Sequence, residues 1–397
     1  MPQQQPVTLR QTLPLLSLLW FAGLYLRIPI LVAPPLAPHI AADLALSQAL
    51  TGALTTLPVL MLAVGALPGS LGIARMGPRA TLALAIVVMA IGSSLRSVAP
   101  EVGTLLAASA IMGLGIAIMQ PALPALLNVW FQPAHLALGT AVYMNGMLMG
   151  EFIGAGITLP VLMPMLGDSW RVTLAAWSLP AFLVAAALFL PRAPASRPVA
   201  RPAWVPDWHN PLTWKLGLLL GASGSMFFGT NAYLASLLDA RGEAGALEQT
   251  LFWFNLAQVA ASLVMLRTSR RWVGRRSLIV LMLVTAIVSL ALFLLTRGPL
   301  SIAFAFVMSF TAGILLILVV ALPPLLSHRD DTGRLAAGNF TIGYTLSFAV
   351  PMLGGVVADF SGAPVVALIV MVVYAALMVP VALKLELRMP PEPFRGA

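Results

Sequence analysis

Two ionisable side chains stand deep inside long apolar runs of the 397-residue chain. Arg27 lies fifteen residues into the run 12–33, and Glu151 lies fifteen residues into the run 136–161. At about 1.5 Å of rise per helical residue, each is roughly 22 Å along its helix. A charge at such depth costs roughly 3 kcal/mol or more, so it normally faces a cavity, a partner or a substrate. The two residue types suit one chemistry in particular. A planar guanidinium fork matches the oxygens of a small anion, and a carboxylate that takes up a proton lets go of the cation beside it. The expectation is that Glu151 neutralises Arg27 at rest, and that protonation of Glu151 frees Arg27 for an anionic substrate. Two plainer readings stand beside it: Arg27 snorkelling to the interface, and a static pair that only joins two helices.

The other polar groups in the apolar runs are uncharged. Gln120, Asn145, Asn231, Asn255, Gln258, Asn339 and Tyr344 have the groups to bind a solute, but the same groups also bridge helices. Phe227, Phe228, Trp253 and Phe254 offer aromatic walls, or ordinary packing. The four histidines (His39, His135, His209 and His328) are scattered, and there is no cysteine. No H-E-x-x-H, G-x-S-x-G or P-loop motif occurs. The chain is therefore expected to be no enzyme, and to carry no metal and no cofactor.

These side chains need a scaffold, and composition identifies its class. The chain is 60% hydrophobic and 9% charged, against about 45–50% and about 25% in soluble proteins, so it is built for lipid. Runs of about twenty apolar residues cross a bilayer. Twelve such runs are read, at about 12–33, 48–70, 78–98, 102–127, 136–161, 171–191, 212–238, 247–267, 276–296, 299–321, 332–358 and 364–384. The Pro- and Arg-rich stretch 192–211 reads as a cytoplasmic linker between bundles at 1–191 and 212–397. The net charge of +9 then reports topology rather than nucleic acid. Seventeen of the 22 basic residues fall on the side of the N-terminus and four opposite, leaving Arg27 within a run. That asymmetry puts both termini in the cytoplasm. In the run 136–161, Gly146, Gly150 and Gly154 recur every fourth residue and offer a smooth face for close helix contact.

Between the second and third runs stands Ser70-Leu71-Gly72-Ile73-Ala74-Arg75-Met76-Gly77-Pro78-Arg79. It resembles the signature G-x-x-x-D-R-x-G-R-R of the major facilitator superfamily. Arg75, Gly77 and Arg79 match, and Ala74 replaces the aspartate. Gly274-Arg275-Arg276 occupies the equivalent place after the eighth run. Three further stretches are Tyr25-Leu26-Arg27, Thr51 to Leu60, and Gly115 to Gln120 with Pro124-Ala125-Leu126. They resemble N-L-R-P, G-L-L-T-T-L-P-V and G-I-A-I-G-N…P-A-L of the cyanate/nitroimidazole branch. Tyr25, Ile28 and Gln120 depart from that pattern.

The resemblance implies an all-α integral membrane fold of twelve transmembrane helices in two six-helix bundles related by pseudo-twofold symmetry. It implies that spans 1 and 5 are neighbours and that spans 1, 4, 7 and 10 line the cavity. Substrate contacts are then expected from Arg27, Tyr25, Gln120, Asn231, Tyr233 and Tyr344, with Glu151 as proton-coupling or ion-pair partner. Arg75, Gly77 and Arg79 would form a gating loop. The implied function is a monomeric secondary active transporter in the bacterial inner membrane. It would move a small anionic or compact polar solute by alternating access, driven by the proton gradient. A drug or metabolite exporter of the same fold is the alternative. A channel or non-transporting receptor is the alternative of another class.

Overall fold

Helices are the economical way to bury backbone in lipid, because each one satisfies its own amides and carbonyls. The computed structural model describes residues 9–131, 135–190, 206–327 and 332–387, and every regular element among them is helical. The first are α1 (Leu9–Leu24), α2 (Ile28–Leu31), α3 (Ala33–Leu44), α4 (Gln48–Val64), α5 (Ala66–Ser97) and α6 (Val102–Trp130). Next come α7 (Leu136–Gly156), a π-helical turn (Thr158–Leu162), α8 (Met163–Met165), α9 (Trp170–Ser178) and α10 (Pro180–Ala187). The later elements are α11 (Pro211–Ala240), α12 (Leu247–Trp272), α13 (Arg276–Leu295) and α14 (Gly298–Val320). The last are α15 (Pro323–Leu326), α16 (Thr332–Ser361), α17 (Val365–Leu377) and α18 (Val379–Leu383).

Among the described residues, nine helical stretches are long and apolar enough to cross a membrane. A bent pair, Leu138–Gly156 with Thr158–Met165, makes a tenth. The seventeen-residue α4 and the thirty-residue α11 occupy the places of the second and seventh expected runs, which completes twelve. The 54° bend after α7 coincides with Pro160, whose missing N–H interrupts the ladder. Most of the expected linker, 192–205, lies outside the described residues, as do Arg192, Arg197, Arg201, His328, Arg329, Arg388 and Arg395.

Two boundaries differ from the sequence reading. The first run continues to Leu44 instead of ending near 33. Pro34 and Pro35 fall in the first turn of α3, where a missing N–H costs nothing. The connector expected over 70–79 shrinks to a turn inside α5 at Gly77, where φ is 79° and ψ is 163°. Only glycine adopts that conformation without strain, and Pro78 then opens the next helix. Gly274 repeats the device between α12 and α13 with φ of 83°.

The described residues fall into two compact units. One holds those up to Val32 and those from Val64 to 190; the other holds Ala33–Ala63 and those from 206 onward. The sequence reading groups residues 33–63 with the N-terminal bundle, whereas here they pack within the second unit. Three contacts there account for it. The Asp359 carboxylate accepts from the Gln48 and Ala49 amides at 2.7 and 2.9 Å, capping first-turn donors of α4 that have no helical partner. The Tyr233 hydroxyl donates to the Pro351 carbonyl at 2.8 Å and lies where a Cβ at Gly52 or Gly355 would stand. The Thr341 hydroxyl donates to the Ala63 carbonyl at 3.3 Å.

In the first unit the glycine ladder sets the spacing of α1 and α7. A Cβ at Gly146 would strike the Trp20 carbonyl, one at Gly150 the Leu24 carbonyl, and one at Gly23 the Tyr143 carbonyl. At Gly154 it would stand 3.1 Å from the Ile28 carbonyl. Gly150→Ala therefore forces α1 and α7 apart and should lower the melting temperature of the purified protein. Gly245→Ala, with nothing within 4 Å, should stay within about 0.5 kcal/mol of the parent. Equal melting temperatures for the two variants would contradict the close-contact account.

Candidate functional site

Pro29 cannot donate to the carbonyl four residues before it, so the first helix breaks ahead of it. The break falls at 25–27. There the Leu26 and Arg27 amides reach back only three residues, to the Gly23 and Leu24 carbonyls, at 3.0 and 3.1 Å. Arg27 then stands as the N-cap of α2, with φ of −131° and ψ of −34°. The glycine face of α7 holds that break against Glu151.

The outcome is an ion pair: Arg27 Nε lies 3.0 Å from Glu151 Oε1, with both side chains about 95% buried, at 4% and 5% exposure. Glu151 Oε2 is buried and makes no hydrogen bond among the described residues, which leaves an acceptor available to a proton or to a donor on a ligand. A desolvated pair of this kind adds little net stability, because desolvation of both charges offsets their attraction. It does strongly favour keeping the site neutral.

Tyr25 closes one flank: its hydroxyl donates to the Trp177 carbonyl at 3.3 Å, and the Trp177 indole donates to Thr158 Oγ1 at 3.0 Å. Gln120 lies half-buried on α6, beside Pro121. Asn145 accepts from the Trp20 indole at 2.9 Å on an exposed face. Among the residues matching the superfamily signature, Arg79 donates through Nε to the Leu188 carbonyl at 2.6 Å. It also lies 5.4 Å over the Phe189 ring. It thereby caps the C-terminus of α10, where a cation is favoured. Arg75 is exposed.

The second unit carries a separate polar cluster. Asn255 Nδ2 donates to Asn231 Oδ1 at 3.0 Å, and Gln258 donates to the Ser309 carbonyl at 2.8 Å. Phe227 stacks on Phe254 at 5.6 Å alongside. Tyr344 stacks on Phe340, and Tyr233 is committed to Pro351. Asn255 Oδ1 and both amide atoms of the fully buried Asn339 make no hydrogen bond among the described residues.

One buried charge escaped the sequence reading. Arg96, one of the four basic residues that the charge count places opposite the N-terminus, is fully buried. Its Nη1 donates to the Pro29 carbonyl at 2.7 Å and reaches Met112 Sδ at 3.1 Å. Its place at the last turn of an apolar run hid it. The other three, Arg171, Arg241 and Arg297, also bond carbonyls: that of Ala99 at 2.7 Å, that of Leu294 at 2.6 Å and that of Arg241 at 2.9 Å.

Residues 19–350 match the family model described as the Major Facilitator Superfamily. The chain is 28% identical to the cyanate transport protein CynX of Escherichia coli (strain K12) over 363 residues, 88% of this chain and 91% of that protein. It is 27% identical to the 2-nitroimidazole transporter of the same organism, over 78% of this chain and 79% of that protein. In structure it is similar to a bacterial homologue of the human lysosomal transporter Spinster in its inward-facing, occupied conformation. There the TM-score is 0.71 at 14% identity, over 95% and 96% of the two chains. It is likewise similar to a D-xylose-proton symporter, with a TM-score of 0.69 at 13% identity over 93% and 97%. These structures bear on the fold.

Removing one partner of a buried pair strands the other charge, typically at about 3–5 kcal/mol. Glu151→Leu alone should therefore melt well below the parent, and Arg27→Met/Glu151→Leu should melt above Glu151→Leu. Thermal unfolding of the three purified proteins measures it, and a double variant less stable than either single one would contradict the pairing energetics.

Proposed function

The chain belongs to the Major Facilitator Superfamily and is a multi-pass membrane transporter, not an enzyme, and from that premise we propose that it moves a small anionic or compact polar solute by alternating access, coupled to protons. The observation that carries this reading is the buried Arg27–Glu151 pair at 3.0 Å. Arg27 offers a planar donor fork, and the relatives' named solutes suit one: cyanate bears a negative charge, and 2-nitroimidazole bears a nitro group with two coplanar oxygens. Tyr25 and Gln120 are proposed as further contacts in the first unit, and Asn231, Tyr233 and Tyr344 in the second. Tyr233 would first have to release Pro351.

Coupling follows from charge balance. With Glu151 ionised, Arg27 is neutralised and an anion has to compete with a fixed carboxylate. With Glu151 protonated, Arg27 becomes the dominant local charge and an anion is attracted. Proton and anion therefore enter together, and the loaded site is neutral overall, which lowers the barrier to crossing lipid-enclosed space. The turn of Arg75, Gly77 and Arg79 is proposed to move during the cycle, with 192–211 as a cytoplasmic tether. The membrane is the bacterial inner membrane, both termini face the cytoplasm, and the working form is a monomer.

Uptake of radiolabelled cyanate into proteoliposomes tests the coupling. The parent protein should take up more as external pH falls. Glu151→Gln, which mimics the protonated carboxyl, should take it up at a rate that no longer depends on pH. An unchanged pH profile in Glu151→Gln would end the coupling proposal.

A further inference from the structure

Arg96 has no evident reason to be a charged residue if its task is to fill space. It is the largest fully buried side chain described, at 0% exposure, and no carboxylate lies within ion-pair distance among the described residues. Burying a cation without an acid is costly, and an apolar side chain of similar volume would pack at lower cost. Its Nε and Nη2 make no hydrogen bond among the described residues. What it does make is a short charge-assisted bond, 2.7 Å, to the carbonyl of Pro29, of the strong kind expected in a low-dielectric interior.

That carbonyl sits where the chain is least able to hold itself. Pro29, Pro34 and Pro35 supply no N–H, so the helical ladder has no donor for the carbonyls of Tyr25, Ile30 and Leu31. The one turn of α2 is held by the Arg27 carbonyl, which accepts from the Ile30 and Leu31 amides at 3.1 and 3.0 Å. Pro29 lies inside that turn. A grip on the Pro29 carbonyl is therefore a grip on the turn whose first residue is Arg27. From the other side, α7 contributes a smooth glycine face, which limits approach, and Glu151, which meets the Arg27 side chain rather than the backbone of the turn.

We propose that Arg96 is a positioning residue: by holding the Pro29 carbonyl it fixes the proline-broken turn that aims Arg27 at Glu151. This deepens the transport reading above and rests on it for its functional consequence, but its structural part is testable without any solute. Arg96→Met keeps an unbranched stem and loses the donor. Arg96→Lys, one bond shorter than arginine, keeps a charged donor for the Pro29 carbonyl.

In protein labelled with 15N-arginine, the Arg27 Nε–H resonance is assigned by its loss in Arg27→Lys. That resonance should stay in place in Arg96→Lys. In Arg96→Met it should move toward the resonances of the exposed arginines. In proteoliposomes, KM for cyanate should rise about tenfold in Arg96→Met, equal to about 1.4 kcal/mol of binding, with kcat little changed and KM near parental in Arg96→Lys. An Arg27 resonance unmoved in Arg96→Met overturns the proposal. If the methionine variant does not fold, a resonance displaced in Arg96→Lys overturns it as well, since the donor is still there. Resonances that behave as expected, in a parent protein that takes up no cyanate, would uphold the positioning role and count against the transport reading instead.

Discussion

A guanidinium and a carboxylate held 3.0 Å apart in a nearly water-free interior constrain everything around them. Neither charge tolerates being left alone there, so the elements that carry them have to meet within a few tenths of an ångström and stay met. Two devices achieve this. Glycines on α7 remove the side chains that would hold α1 away, and Pro29 breaks α1 so that Arg27 leaves the regular helical path. The pair is thus less a source of stability than a condition that the packing must satisfy, and a condition that one proton can change.

The same logic recurs at lower stakes across the molecule. Carbonyls left over at helix ends are met by arginines: Arg79 at α10, Arg171 beyond α5, and Arg241 at the end of α13. First-turn amides of α4 are met by Asp359. In lipid such groups have no water to turn to, so each cap is close to obligatory. Polar side chains outside the pair are consequently of two kinds. Many are spent on capping and bridging, like Asn145 and Gln258. A few, among them Glu151 Oε2 and the Asn339 amide, are buried with bonding capacity left over, and these suit a passing solute.

The parts of the molecule legible in the sequence are those that depend on local spacing. Apolar runs give the helices, and the every-fourth glycines give the contact face of α7. Equal depth of Arg27 and Glu151 gives their common level in the membrane. The packing of residues 33–63 within the second unit was not legible, because it rests on contacts some two to three hundred residues distant in the chain: Asp359 with Gln48, and Tyr233 against Gly52. Arg96 was misread for a related reason. Charge counting treats an arginine at the end of an apolar run as a topology signal, and its actual partner, the Pro29 carbonyl, is a backbone atom that carries no side-chain signature.

The central claim is that Arg27 holds an anion, and thermal stabilisation of the purified protein tests it most directly. A ligand that binds only the folded protein stabilises it by about 2.7 kcal/mol at a hundred times its Kd. Cyanate, nitrite, formate and bicarbonate would be compared with neutral solutes of similar size, on the parent and on Arg27→Ala. The account predicts that at least one anion raises the parent's melting temperature and that the effect disappears in Arg27→Ala. Anion stabilisation of equal size in both proteins would contradict it.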